Sequence, residues 1–212
     1  MGNSYDLQKE IEIKLDLGSF TNYLKLLGYL GQIDSELKQT NCFFDTEDHQ
    51  ISKEGWALRV RLEPERGLVT VKSKTISNDK AAVREELEAE ISRADAENVI
   101  NLNNDILSLN IKPIEFVKEK WNPSALSKLV HFENNRQCKE FKIGDHLCIF
   151  EIDSTSFSDG SVDYELEIEL KNESEIVTIY DNLKKLFASL HIHFENQSAS
   201  KFARALKRAR IF

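Results

Sequence analysis

At 212 residues with 41% hydrophobic content, the chain is long enough for one sizeable core and short for two, so one domain spanning 1–212 is expected. Its formal charge of -8 argues against non-specific binding to nucleic acid or to an anionic membrane. Three cysteines (Cys42, Cys138, Cys148) without CxxC spacing point to neither a disulfide framework nor a zinc knuckle, and fit a reduced, cytoplasmic compartment.

Met1-Gly2-Asn3 opens like a myristoylation signal, but Asp6 stands where Ser or Thr is required. No apolar h-region or membrane-length apolar run follows. Glu10 to Leu15 alternates strictly, with Glu10, Glu12 and Lys14 on one face of a strand and Ile11, Ile13 and Leu15 on the other. Ser19 is an N-cap for a helix whose stripe is Phe20, Leu24, Leu27 and Leu30. Strands are expected at Asn41 to Thr46, Trp56 to Glu63, Leu68 to Lys74 and Val83 to Ile91, separated by turns at Gly55, Gly67 and Ser77-Asn78-Asp79. After Ser92 a helical pattern runs through Val99, Leu102, Ile106 and Leu109 until Pro113 breaks it, with short helices to about Val130. Further strands follow at Phe132 to Phe141, Leu147 to Thr155 and Val162 to Leu170, punctuated by Gly144-Asp145 and Asp159-Gly160. A helix from Ser174 carries Val177, Tyr180, Leu183, Phe187 and Leu190, and a short basic helix, Ser200 to Arg210, closes the chain. The class is α+β, dominated by an antiparallel sheet.

The polar faces of these strands are unusual. Arg59, Arg61 and Glu63 share one face; Thr70, Lys72 and Lys74 another; Arg84, Glu86, Glu88 and Glu90 a third; Glu165, Glu167, Glu169 and Lys171 a fourth. Any one of them reads as the solvated side of a one-sided sheet. Together they lack the Thr, Ser and Gln that dilute ordinary solvent faces. The amphipathic helices need the apolar sides, which leaves the charged sides turned away from them. With roughly eight strands, closing the sheet turns those faces into a lumen and removes exposed edges. The expectation is a closed eight-stranded antiparallel barrel with a charged lumen and helices packed outside.

A lumen lined by one sign of charge would be unstable, since two like charges about 4 Å apart repel by roughly 4 kcal/mol at an effective dielectric near 20. Interleaved carboxylates offset part of this; a bound polyanion with a divalent metal offsets the rest. Mg²⁺ prefers hard oxygen donors, so the Glu10/Glu12 and Glu167/Glu169 pairs suit it better than zinc.

At Glu10-Ile11-Glu12-Ile13-Lys14 the chain resembles the N-terminal ExExK signature of the CYTH superfamily, the triphosphate tunnel metalloenzymes. The signature is joined, in family order, by Asn41-Cys42-Phe43-Phe44-Asp45-Thr46, Ala57-Leu58-Arg59-Val60-Arg61, Thr70-Val71-Lys72-Ser73-Lys74 and Arg84-Glu85-Glu86-Leu87-Glu88. Phe132-Glu133-Asn134-Asn135-Arg136, Glu151-Ile152-Asp153, Tyr164 through Glu169 and Ser200-Lys201-Phe202 complete the set. The FENxR and YExExE segments are most similar to the plant-type inorganic tripolyphosphatases.

The resemblance implies phosphate ligation by Lys14, Arg59, Arg61, Lys72, Lys74 and Arg136, with Arg84 and Lys201 completing the substrate-binding set. It implies that Glu10, Glu12, Asp153, Glu167 and Glu169 hold one or two Mg²⁺ or Mn²⁺ ions, and that Glu86, Glu88 and Glu165 complete the lining. Lys201 matches a family lysine placed beside the attacking water, so Lys201 with Glu10 and Glu12 is the expected catalytic set. One departure is Asn134, which stands where the family carries a lysine or arginine. The implied reaction is metal-dependent hydrolysis of tripolyphosphate to pyrophosphate and phosphate; thiamine triphosphatase, class IV adenylyl cyclase and a non-catalytic polyphosphate- or nucleotide-binding module are the alternatives. His49, His131, His146, His191 and His193 lack partners at ligand spacing and read as surface residues. Lys201, Arg204, Lys207, Arg208 and Arg210 make a basic helix, but one helix on an acidic protein does not make a nucleic-acid surface. Trp56 and Trp121 read as packing residues.

Overall fold

In the computed structural model, which describes residues 5–77 and 79–211, alternation does what the sequence leads one to expect. Met1-Gly2-Asn3 and Asn78 of the expected turn lie outside the described residues. In β1 (Gln8–Asp16), Ile11, Ile13 and Leu15 are buried against helices while Glu10, Glu12 and Lys14 face the other way. The chain continues through α1 (Phe20–Leu30), β2 (Ser35–Asp45), the short α2 (Gln50–Lys53), β3 (Ala57–Leu62) and β4 (Arg66–Lys72). Next come the two-residue β5 (Ile76–Ser77), β6 (Ala82–Ser92), α3 (Arg93–Ile100) and α4 (Lys112–Trp121). The long β7 (Ser127–Ile143), β8 (His146–Phe157), β9 (Val162–Glu169), α5 (Ile176–Ser189), the two-residue β10 (Glu195–Asn196) and α6 (Lys201–Ala209) complete it.

Hydrogen bonding runs β1-β9-β8-β7-β2-β3-β4-β6, and β6 returns to β1 through the pairs Gln8↔Glu86 to Glu12↔Ala82. Every pairing is antiparallel, so eight strands form a closed barrel, with β5 and β10 as additions at its rim. Two apolar layers lie outside the wall. One joins α1 and α5 to β1, β8 and β9 through Ile13, Leu26, Phe150, Leu166, Leu183 and Phe187; the other joins α3 and α4 to β3 and β4 through Val60, Val69, Val99, Ile114 and Val117. Gly67 lets α3 come that close: a Cβ there would sit 2.4 Å from Ala96 Cβ. A third cluster, Phe43, Val130, Phe132, Phe157 and Ala205, seats α6 at one end of the barrel, where Phe202 stacks on Phe43 with centroids 4.4 Å apart.

Several local readings change. Helix α1 buries Tyr23, Leu26 and Leu30, leaving Phe20 and Leu24 half exposed. The helix carries two overlapping apolar stripes, and the sheet selects the one that fits. Helix α5 likewise buries Ile176, Ile179, Leu183, Leu186 and Phe187 and turns Val177 outward. The pattern after Ser92 stops at Ile100, followed by Leu102 at φ 60° and a 3-10 turn at Ile106–Ser108 capped by Asp105. Pro113 starts α4 rather than ending a helix, because the first turn has no use for the missing N–H. Strand β7 begins at Ser127, inside the stretch expected to be helical, since pairing with β2 down to Asp45 overrides local propensity. No helix is long and apolar enough to cross a membrane.

Candidate active site

The closed wall encloses a cavity of about 680 Å³. Glu10, Glu12, Lys14, Arg59, Arg61, Lys72, Lys74, Arg84, Glu86, Glu88, Arg136, Glu167, Glu169 and Lys201 all line it. Asp153 and Glu165, 0% and 1% exposed, stand directly behind that lining in contact with Lys201. Period-two geometry thus brings the strand residues of the expected site together, although not in one cluster, and α6 adds Lys201.

On β3, the arginines are only loosely paired with carboxylates. Arg61 Nε donates to Asn41 Oδ1 at 2.9 Å, and the nearest carboxylate, Glu63, is 4.0 Å away. Burial and then repulsion from Arg59 and Arg136 push the Arg61 pKa down to about 9. Arg59 donates to Thr70 Oγ1 at 3.0 Å and lies 3.5 Å from Glu88, while its buried Nε has no hydrogen-bond partner. Burial also lowers Arg59 and Lys72, with Arg84 adding repulsion to each despite nearby glutamates. Lys72 is lowered although it is paired with Glu86 at 2.6 Å and Glu10 at 3.2 Å, because burial outweighs them.

The β8–β9 side is the reverse. Arg136 grips Asp153 through two bonds of 2.8 and 2.6 Å and also contacts Glu167 and Glu151. Lys201, delivered by the first turn of α6, lies 2.8 Å from Asp153 and 2.9 Å from Glu167 and also pairs with Glu165. These carboxylates raise the Lys201 and Arg136 pKa values against the opposing pull of burial, so both are fixed cations. Burial alone would raise Asp153 and Glu167, but Arg136 and Lys201 hold both down. Oxygens of Asp153, Glu165 and Glu167 lie within 4.8 Å of one another, a hard-donor group of the kind divalent cations take, and the Lys201 ammonium contacts all three.

The expected metal set divides in two. Asp153 and Glu167 belong to this group, whereas Glu10, Glu12 and Glu169 sit further along β1 and β9, where Glu12 and Glu169 are cross-strand partners. Glu10 is bound by Lys72 at 3.2 Å and by Arg84, which together overcome burial and bring its pKa to about 2. Glu12 contacts Lys14 at 3.0 Å and Arg84 at 2.9 Å. Glu169 is exposed at the mouth, and burial plus repulsion from Glu10, Glu86 and Glu12 raise its pKa, a crowding that a cation would relieve. Lys74 lies past the end of β4, exposed on the rim.

The structure adds residues beyond those singled out. Gln39 and Asn41 are buried lining residues that hold charged groups in place, and the fully buried Thr70 behind them accepts from Arg59. Asn134 bonds Gln39 Oε1, Asp153 Oδ1 and Thr155 Oγ1, so at this departure from the family pattern the amide ties three strands together. Glu151 has the parity of Asp153 and could have been found from it. Burial, opposed by Arg136 and reinforced by Glu167 and Asp153, pushes its pKa up to about 7. Arg204, 8% exposed, bonds Glu165 at 2.7 Å. Trp56 packs on Phe116 and Trp121, as expected, and also touches the cavity. Among the described residues no histidine joins the acidic group.

The fold and this lining define a closed-barrel tunnel with a charged lumen. The chain belongs to the CYTH domain family, which matches residues 8–205 and comprises triphosphatases and cyclases. Among solved structures it is similar to HpAC1 from Hippeastrum, a candidate adenylyl cyclase with a dominant triphosphatase activity, at 25% identity and TM-score 0.84, covering 94% of this chain and 96% of that one. A candidate adenylate cyclase from Bacillus halodurans shares 21% identity at TM-score 0.69, covering 92% and 97%. The protein PH1819 from Pyrococcus horikoshii shares 16% at TM-score 0.62, covering 94% and 99%. Comparison with curated proteins finds no match.

Proposed function

We propose that this protein is a divalent-metal-dependent triphosphatase that hydrolyses inorganic tripolyphosphate to pyrophosphate and phosphate. The observation that carries the reading is the sparse pairing of the β3 arginines: the carboxylates nearest Arg59 and Arg61 lie at 3.5 and 4.0 Å, and Arg59 Nε is a buried donor lacking a partner. A linear chain of phosphates supplies the missing negative charge. The dominant triphosphatase activity of the Hippeastrum relative supports the same class of reaction.

In this reading Arg59, Arg61 and Lys72, with Lys14, Arg84 and Arg136, hold the phosphate oxygens, and Lys74 guides the anion at the rim. Asp153 and Glu167, and separately Glu10, Glu12 and Glu169, hold Mg²⁺ or Mn²⁺, while Glu86, Glu88 and Glu165 maintain the lining. A bound divalent ion would polarise phosphate oxygens and lower the pKa of a ligated water. Phosphoryl transfer to water requires positioning and charge stabilisation more than covalent help, and fixed cations supply both without reorganising during the reaction. Lys201, held as an ammonium by Asp153, Glu165 and Glu167, would stand beside the attacking water. Residues 1–212 act as one unit, because the lining draws on strands from β1 to β9 and on α6. Three free cysteines, two of them buried, suit a reducing cytoplasm.

An organic triphosphate is the second reading, favoured by the aromatic end of the cavity at Phe43, Phe132 and Phe202. A phosphate-release panel separates the two: tripolyphosphate, thiamine triphosphate, ATP and longer polyphosphate, each with Mg²⁺ or Mn²⁺ and with products identified. Metal-dependent release of equal phosphate and pyrophosphate, fastest from tripolyphosphate, is expected. Inert tripolyphosphate, or a cyclic nucleotide formed from ATP, would overturn the assignment.

A further inference from the structure

Helix α6 meets β9 through a ladder of charges of which the proposed chemistry uses only one rung. Lys201, Arg204 and Arg208 are spaced i, i+3 and i+7, one face of the helix; Asp163, Glu165 and Glu167 alternate along β9, one face of the strand. Lys201 lies 2.9 Å from Glu167 and Arg204 lies 2.7 Å from Glu165. Arg208 holds Asp163 through bonds of 2.9 and 2.7 Å. Seven helical residues rise about 10 Å, and four strand residues span about 13 Å. The long side chains absorb that difference, so helix and strand run antiparallel in register.

The outer rungs are cross-tied. Arg204 Nε also sits 3.0 Å from Asp163, Arg204 Nη1 donates to the Ala199 carbonyl at 3.2 Å, and the Arg208 guanidinium lies 4.0 Å from the Phe157 ring centroid. The apolar seat of α6, with Phe202 on Phe43 and Ala205 buried, is non-directional and permits sliding. A bidentate guanidinium–carboxylate pair fixes position and orientation. Lysine is a flexible point charge, so its placement depends on the helix that carries it.

We propose that Asp163, Arg204 and Arg208 are positioning residues that set the register of α6 and thereby place the Lys201 ammonium in the tunnel. The inference rests on the catalytic role given to Lys201 above. The test compares wild type, Asp163→Arg, the charge swap Asp163→Arg with Arg208→Asp, and Lys201→Ala. Each is measured for kcat and KM on tripolyphosphate with Mg²⁺, for Tm, and for the rate at which an amine-acylating reagent modifies Lys201 in the substrate-free protein, read by mass spectrometry. Asp163→Arg is expected to lower kcat by about tenfold or more with little change in KM, and to speed acylation of Lys201; the swap restores both in part, since it re-forms the 163–208 pair but leaves Arg204 facing a cation at position 163. Asp163→Asn replaces the single variant if Asp163→Arg does not fold. Wild-type kcat and acylation in a folded single variant, or a folded swap that restores neither, overturns the proposal. Full activity in Lys201→Ala would instead remove the catalytic role of Lys201, and the acylation rates would still decide whether the ladder sets its position.

Discussion

The β3–β4 wall and the β8–β9 wall bury charge at similar depth and handle it in opposite ways. Around Asp153 and Glu167 the carboxylates are bound by Arg136 and Lys201 at 2.5–2.9 Å, so the charge is compensated within the protein. Around Arg61 the partners are a neutral amide at 2.9 Å and a carboxylate at 4.0 Å. Compensated charge holds a fold together; uncompensated charge marks where a ligand of opposite sign belongs. In the proposed function the phosphate chain lies along β3, and the carboxylate crowding that a cation would relieve is at Glu169, beside Glu10 and Glu12.

The sharpest way to break that contrast is Arg59→Ala. Losing one preorganised cation from the β3–β4 wall is expected to lower kcat/KM for tripolyphosphate by about 10²–10³-fold, with the thermal transition nearly unmoved. Near wild-type turnover would show that the wall is not the phosphate site. Glu167→Gln tests the other side: turnover falls by roughly 10–100-fold, and the Mg²⁺ concentration giving half-maximal rate rises. If turnover falls with no change in Mg²⁺ requirement, Glu167 serves only to compensate Arg136 and Lys201. The smallest effect is expected at Lys74, exposed on the rim, where Lys74→Ala should raise KM by about two- to fivefold at low salt and less at high salt, as screening predicts. An effect independent of salt would place Lys74 in direct contact with substrate.

Legibility from sequence followed the range of the interaction. Lumen parity needed only neighbours two apart, so Glu10, Glu12, Arg59, Arg61, Glu165 and Glu167 were placed on the correct faces. Helix faces failed where two stripes competed, as at Phe20 and Leu24 against Tyr23 and Leu26, because the docking surface lay elsewhere in the chain. The bonding of Gln39, Asn41 and Asn134 is not legible in sequence, because a buried amide has no pattern of its own. Glu151 lies within the Glu151-Ile152-Asp153 segment, yet its environment is not legible there, because its pKa of about 7 comes from burial and from Glu167 across the β8–β9 pair.

By itself the sequence determined which residues alternate, which sides of the strands are charged, that the helices must cover the apolar sides, and the family likeness. All of these follow from backbone periodicity and the avoidance of water by apolar groups, which act over a few residues. Only the tertiary structure decided that β6 returns to β1, that the acids separate into two groups, and that Lys201 reaches Asp153 and Glu167 from the far end of the chain. Those outcomes depend on distances between segments remote in sequence, and the strength and sign of an electrostatic environment are set by such distances and by burial.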